Sequence, residues 1–126
     1  MTTITVYTSE DGKIAGYQAS GHAHNRRVQG NDLVCCAVSV LTQTGVNALA
    51  EITGVEPDVQ VSDGFLRCIL KPEELNEQQR EQAETILRTV KTGLTDIQKI
   101  YPKLIRIQQK EWRQADAYDE SSALRA

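Results

Sequence analysis

Residues 2–20 read TTITVYTSEDGKIAGYQAS, and the pairing of this stretch with itself decides the fold. Ile4 and Val6 alternate with polar neighbours over Thr2 to Thr8, the period of two that belongs to a half-buried strand. A second run, Lys13 to Ser20, follows Glu10-Asp11-Gly12, and Asp-Gly between two such runs signals a two-residue type I′ hairpin. Closed on Asp11 and Gly12, the hairpin faces Glu10 with Lys13 and sets Ile4 and Val6 beside Ala19 and Tyr17. That shared face is the expected core side.

The pattern recurs further on. Val59 to Ser62, then Asp63-Gly64, then Phe65 to Leu70 read as a second hairpin. Its closure opposes Val61 to Leu66 and Val59 to Cys68, so these four share a face with Leu70, while Gln60, Ser62 and Arg67 share the other. Cys68 is thereby expected to be core filler. Between the hairpins, Leu33 to Thr53 carries Val34, Val38, Leu41, Ala48, Leu49 and Ile52 on one stripe at about 100° per residue. This predicts a buried helix with Asp32 as N-cap, stopped by Gly54-Val55-Glu56-Pro57. A second helix is predicted after Asn76, with Gln79 completing a capping box and Ala83, Ile86, Val90, Leu94, Ile97 and Tyr101 as its apolar stripe. Gly93 lies inside that stripe, where close packing accounts for it, and Pro102 ends the helix. Lys103 to Lys110 alternates weakly and is a candidate fifth strand.

The order β-β-α-β-β-α, with an extra C-terminal strand, predicts a two-layer α+β domain: a mixed or antiparallel sheet from two β-hairpins with two helices. One domain over residues 1–110 is expected, followed by a polar, flexible C-terminal extension at 111–126. A chain of 126 residues suits a single core. Lysine plus arginine number 14 against 17 acidic residues, a formal charge of −3, which is the wrong sign for a generic phosphate-binding surface. Nucleic acid is not an expected partner. No apolar run is read as long enough to span a membrane, and the N-terminus lacks a signal-peptide pattern. A cytoplasmic location and no membrane partner are the expectation, with Cys35, Cys36 and Cys68 as free thiols.

Gly21 to Asp32 (GHAHNRRVQGND) has no periodicity and reads as a long loop. It begins with His22 and His24 at a strand exit and ends with Asp32, Cys35 and Cys36 at a helix start, places where a scaffold holds groups around a mobile connection. With Asp32 as cap, Cys35 is the third helical residue, in the first turn, where unpaired N–H groups and the macrodipole favour a thiolate. On the wheel Cys35 lies on the shoulder of the buried stripe, and Cys36 about 200° from Val34 on the far side. From spacing alone, each cysteine also reads as a small buried hydrophobe, and His22 as a surface or hydrogen-bonded residue. Together, Cys35 and His22 make the minimal pair of nucleophile and base. His22-x-His24 with Cys35-Cys36 offers ligand types that zinc prefers, but adjacent helical cysteines diverge by about 100°, so neither metal nor other cofactor is expected.

At GHA (Gly21 to Ala23) followed by GNDLVCCAVS (Gly30 to Ser39), the sequence closely resembles the bacterial ribosomal-processing cysteine protease family, Prp, whose pattern is GHA, a loop, then G-x-D-I-V-C-A-A-V-S. The resemblance places the family's catalytic His on His22, its nucleophile on Cys35 and its conserved Asp on Asp32. It departs at Cys36, where Ala is usual, at Leu33 for Ile, and in the polar tail. It implies a cysteine endopeptidase that removes the N-terminal extension of the precursor of large-subunit ribosomal protein twenty-seven during ribosome assembly. It also implies a homodimer with a flexible loop, Ala23 to Asn31, over the site. Asp32 has two readings, helix cap or a carboxylate that orients His22. Backbone N–H groups at the helix start, that of Cys35 included, are candidate oxyanion donors. The competing class is a non-enzymatic ribosome-associated assembly module in which His22 and Cys35 are structural.

Overall fold

The computed structural model describes residues 1–21 and 31–113, the side chains of Asn31 and Asp32 apart. Among these residues the elements run β1 (Thr2–Thr8), β2 (Ile14–Ser20), α1 (Asn31–Ala48), β3 (Asp58–Ser62), β4 (Phe65–Ile69), α2 (Glu77–Ile100) and β5 (Ile105–Glu111). A π-helical turn, Leu49–Thr53, extends α1, and a 3-10 turn, Pro72–Glu74, precedes α2. The strands form one sheet in the order β3-β4-β2-β1-β5. Neighbours are antiparallel except β5, which lies parallel to β1. The sheet is therefore mixed, and the architecture is the expected two-layer α+β fold.

The core forms where the period-two faces of the strands meet the stripes of the helices. Ile4, Val6, Tyr17, Ala19, Leu66, Cys68 and Ile105 from the sheet pack with Val34, Val38 and Leu49 of the first helical segment and Ala83, Leu87, Val90 and Leu94 of α2. Both helices thus cover the same face. The second hairpin closes on Asp63-Gly64 with Val61 opposite Leu66 and Val59 opposite Cys68, as its alternation requires. The capping box is also present: Asn76 Oδ1 accepts from the Gln79 N–H at 2.8 Å, and Gln79 Oε1 accepts from the Asn76 N–H at 2.9 Å. Gln79 Nε2 donates on to the Thr53 carbonyl at 2.9 Å, tying the start of α2 to the end of the preceding helical segment.

Several local expectations are corrected. The first hairpin keeps Ile4 opposite Ala19 and Val6 opposite Tyr17, yet its turn is one residue longer than a type I′ loop. Ser9, not Glu10, faces Lys13: the Ser9 N–H donates to the Lys13 carbonyl at 2.8 Å, and only Gly12 in the loop has positive φ, at 82°. A three-residue loop ending in an αL glycine needs one left-handed residue instead of two, and a bulge after Tyr7 restores the pairing. Asp11 secures the loop by accepting from Ser9 Oγ and the Lys13 N–H.

In the segment 49–53 the stripe also shifts. Ile52 is 52% exposed, while Thr53 is buried. The wider π turn advances fewer degrees per residue, so the core-facing position falls one residue later than an α-helical wheel places it. Thr42 and Gly45 join the buried stripe, and the Thr42 hydroxyl is satisfied by the Val38 carbonyl at 2.8 Å. Leu33–Thr53 spans 21 residues and contains an 18-residue window with a mean hydropathy of 1.6, so by length and composition it could cross a membrane, contrary to the reading that no run is long enough. Here it lies against the sheet and α2.

β5 continues to Glu111, and the Trp112 N–H donates to the Thr8 carbonyl at 2.8 Å. Trp112 meets Tyr7 edge-on, centroids 4.9 Å apart, and Arg67 stacks over its ring at 5.6 Å. Packing on the helix-free face therefore reaches past Lys110, and Arg67, expected on a polar face, is buried. The expected extension beyond Arg113 lies outside the described residues.

Candidate active site

β1 starts and β2 ends beside the N-terminal half of α1, and the second hairpin comes alongside. Between them lies a cavity of about 280 Å³. Cys35 lines it from α1, followed by Val38, Ser39, Thr42 and Gln43 on the next turns; Thr2, Ala19 and Gly21 close the sheet side, and Val61, Ser62 and Gly64 to Leu66 the hairpin side. None of the described lining residues is charged. Cys35 is half-buried, Cys36 exposed and Cys68 buried, the order expected from their places on the wheel and the strand. Burial pushes the Cys68 thiol up to about 12, consistent with a filler that stays neutral. Burial also holds the Tyr17 phenol far above its ordinary value, with Cys68 as a second cause.

The helix begins one residue before the expected start. Asp32 is then the second residue of α1 and not its N-cap, and Cys35 is the fifth. The stripe begins at Val34 on either reading, so periodicity cannot place the first turn. The consequence is chemical: in a helix that starts at Asn31 the N–H groups from Val34 onward have helical acceptors, which removes that of Cys35 from the oxyanion candidates and leaves, among the described residues, those of 31–33. His22 and His24 lie outside the described residues, as does the loop from Ala23 to Gly30. Gly21, the residue before His22, lines the same cavity as Cys35.

Sequence reasoning did not single out Thr2 or the hairpin wall. Thr2 occupies the inward face of β1, in phase with Ile4 and Val6, and its hydroxyl lies 3.9 Å from Cys35 Sγ. Val61 is in phase with the core residues of its hairpin yet 68% exposed, because β3 is the sheet edge. A polar residue on an inward face and an apolar one at an exposed edge were the available signals.

Over residues 1–106 the sequence matches the family model described as Cysteine protease Prp. The chain belongs to the Prp family of cysteine proteases. Among Prp relatives, the Ribosomal processing cysteine protease Prp of Bacillus subtilis is 30% identical over 108 residues, which cover 85% of this chain and 96% of that one. The Staphylococcus aureus protein of the same name is 27% identical over 110 residues, 87% of this chain and 100% of its own. The crystal structure of the S. aureus Prp with a covalently linked product peptide superposes with a TM-score of 0.71 at 27% identity, and that with a substrate peptide with 0.74 at 26%. Both superpositions cover 87% of this chain and 100% of the other. A Streptococcus mutans structure, 23% identical with a TM-score of 0.75 over 89% of this chain and 96% of its own, shares the fold. The Prp assignment rules out a purely structural assembly module: this chain is a protease.

Proposed function

We propose that this Prp-family protease removes the N-terminal extension of the precursor of large-subunit ribosomal protein twenty-seven. The observation that carries the reading is the half-buried thiol of Cys35 on the wall of a cavity, uncharged among its described lining residues, that opens between α1 and the second hairpin. Such a cavity accepts an apolar side chain beside the scissile bond, with the edge strand β3 and Val61 at its rim. The names of the B. subtilis and S. aureus relatives, and the product peptide covalently linked in the S. aureus protein, support the same route.

In this reading the Cys35 thiolate attacks the scissile carbonyl carbon, and the carbonyl oxygen takes the negative charge facing the N–H groups of the first turn of α1. His22, as imidazolium, protonates the departing amine; as imidazole it then takes a proton from water, whose attack releases the acyl group and regenerates the Cys35 thiolate beside protonated His22. Asp32, three residues before Cys35 on the helix, supports the pair. No metal or other cofactor enters these steps. The enzyme acts in the cytoplasm as a homodimer, for which the exposed Leu33 and Val40 of α1 offer uncharged surface.

Intact-mass analysis of the organism's own precursor, incubated with the wild type, Cys35→Ala, His22→Ala and Cys36→Ala, tests the reading. Cleavage is expected from the wild type and Cys36→Ala alone. Cleavage by Cys35→Ala overturns the nucleophile, and an intact precursor under the wild type overturns the substrate.

A further inference from the structure

We infer that Thr2 is a positioning residue for the nucleophile: its hydroxyl donates a hydrogen bond to the Cys35 sulfur and holds that sulfur toward the cavity. The inference rests on the reading of Cys35 as nucleophile and adds a residue to it.

Thr2 is only 4% exposed and stands at the end of the inward face of β1, where a hydroxyl is otherwise out of place among Ile4, Val6 and their neighbours. A buried hydroxyl needs a partner, and Cys35 Sγ lies 3.9 Å away, within the longer reach of a sulfur hydrogen bond. The backbone that carries the hydroxyl is fixed from three sides. The Thr2 N–H donates to the Leu104 carbonyl at 2.9 Å, Thr2 pairs with Ile105 of β5, and Gly21 packs so closely that a Cβ there would run into the Met1 carbonyl oxygen. Thr2 therefore sits between the residue that leads into His22 and the helix that bears Cys35, and both Thr2 and Cys35 line the cavity.

The direction of the bond follows from the chemistry. In the thiol form either atom can donate, but a thiolate has no proton, so only the hydroxyl can. A bond to an ionised acceptor is stronger than a neutral one. The contact thus favours the reactive form over the resting one, whereas a simple packing contact favours neither.

The test is the pH profile of iodoacetamide alkylation at Cys35, mapped by peptide mass, in the Cys36→Ala background with Thr2, Thr2→Val or Thr2→Ser. Thr2→Val keeps the shape and removes the donor. It is expected to slow alkylation about five- to tenfold near neutral pH, with the rates converging once the thiol is fully ionised in both proteins. Thr2→Ser restores the parent profile to within about twofold. A Thr2→Val profile that superimposes on the parent overturns the inference, and so does an equal slowing at every pH, which marks a merely structural role. If Thr2→Val does not fold by circular dichroism, the comparison of Thr2→Ser with Thr2→Ala decides, and equal profiles for those two overturn it. A parent Cys35 that reacts no faster than an exposed ordinary thiol at low pH instead overturns the nucleophile reading, so the two failures are distinct.

Discussion

Tyr17 and Gly45 make the joint on which α1 sits over the sheet, and a double-mutant cycle on them tests how that joint is built. The Tyr17 hydroxyl donates to the Thr42 carbonyl at 2.5 Å in a fully buried setting. Tyr17→Phe leaves that carbonyl without its side-chain donor, for which about 1–3 kcal/mol is the ordinary cost. Gly45→Ala drives a methyl group into the Tyr17 hydroxyl oxygen and to 2.8 Å from Val90 Cγ2. Overpacking of this kind costs about 1–3 kcal/mol, against which alanine regains about 1 kcal/mol of helix propensity. With the hydroxyl already gone, the nearest obstacles to the added methyl are the Val90 methyl, which can turn, and the ring carbon at 3.3 Å. Gly45→Ala is therefore expected to cost at least about 1 kcal/mol less in the Tyr17→Phe background than alone. An unfolding entropy of about 2.1 cal/mol/K per residue over this chain gives roughly 4 °C of Tm per kcal/mol. Urea denaturation of the four proteins measures the cycle. Additivity within about 0.5 kcal/mol refutes the argument that one oxygen atom is the obstacle.

Three further outcomes follow from the same geometry. Cys68 rises on folding from the ordinary thiol value of 9.0 to about 12, so its stabilisation is complete below the unfolded value and is lost as pH climbs from there through the folded value; Tm should fall across that window, and less steeply in Cys68→Ala. An equal fall in both proteins would deny Cys68 its part. Asn76→Ala removes the capping acceptor and is expected to cost about 1 kcal/mol in urea denaturation, with kcat/KM for precursor cleavage unchanged; a loss below about 0.3 kcal/mol would contradict the cap. Val61→Lys, exposed on the cavity rim, should leave Tm within about 2 °C of the parent and lower kcat/KM for the precursor about tenfold through KM. An unchanged KM would remove the hairpin wall from substrate binding.

The elements that sequence reasoning located best are those whose signal is local. The Asn76–Gln79 box involves two residues of one turn, and Asp63-Gly64 specifies its own hairpin, so the register of Val59 to Cys68 follows from alternation alone. The turn at Glu10-Asp11-Gly12 was less determinate, because the same Asp-Gly serves either a two-residue loop or a three-residue loop with a bulge. The inward pairs Ile4–Ala19 and Val6–Tyr17 survive that ambiguity, since burial of one face outweighs the preference of a turn. In α1 the wheel assumed a constant pitch. The π turn at Leu49–Thr53 breaks it, and Ile52 leaves the core.

By itself, the sequence determined the two hairpins, the two helices, the layer they form and the motif residues His22, Asp32 and Cys35, because period, turn chemistry and motif spacing are written along the chain. Only the tertiary structure decided that β5 joins β1 in parallel, that Arg67 lies buried beneath Trp112, and that Thr2, Cys35 and the second hairpin wall one cavity. Thr2 and Cys35 are 33 residues apart in sequence. No local preference encodes such a meeting; it arises when buried faces from distant segments are forced to share one core, and the polar atoms carried with them must find their partners there.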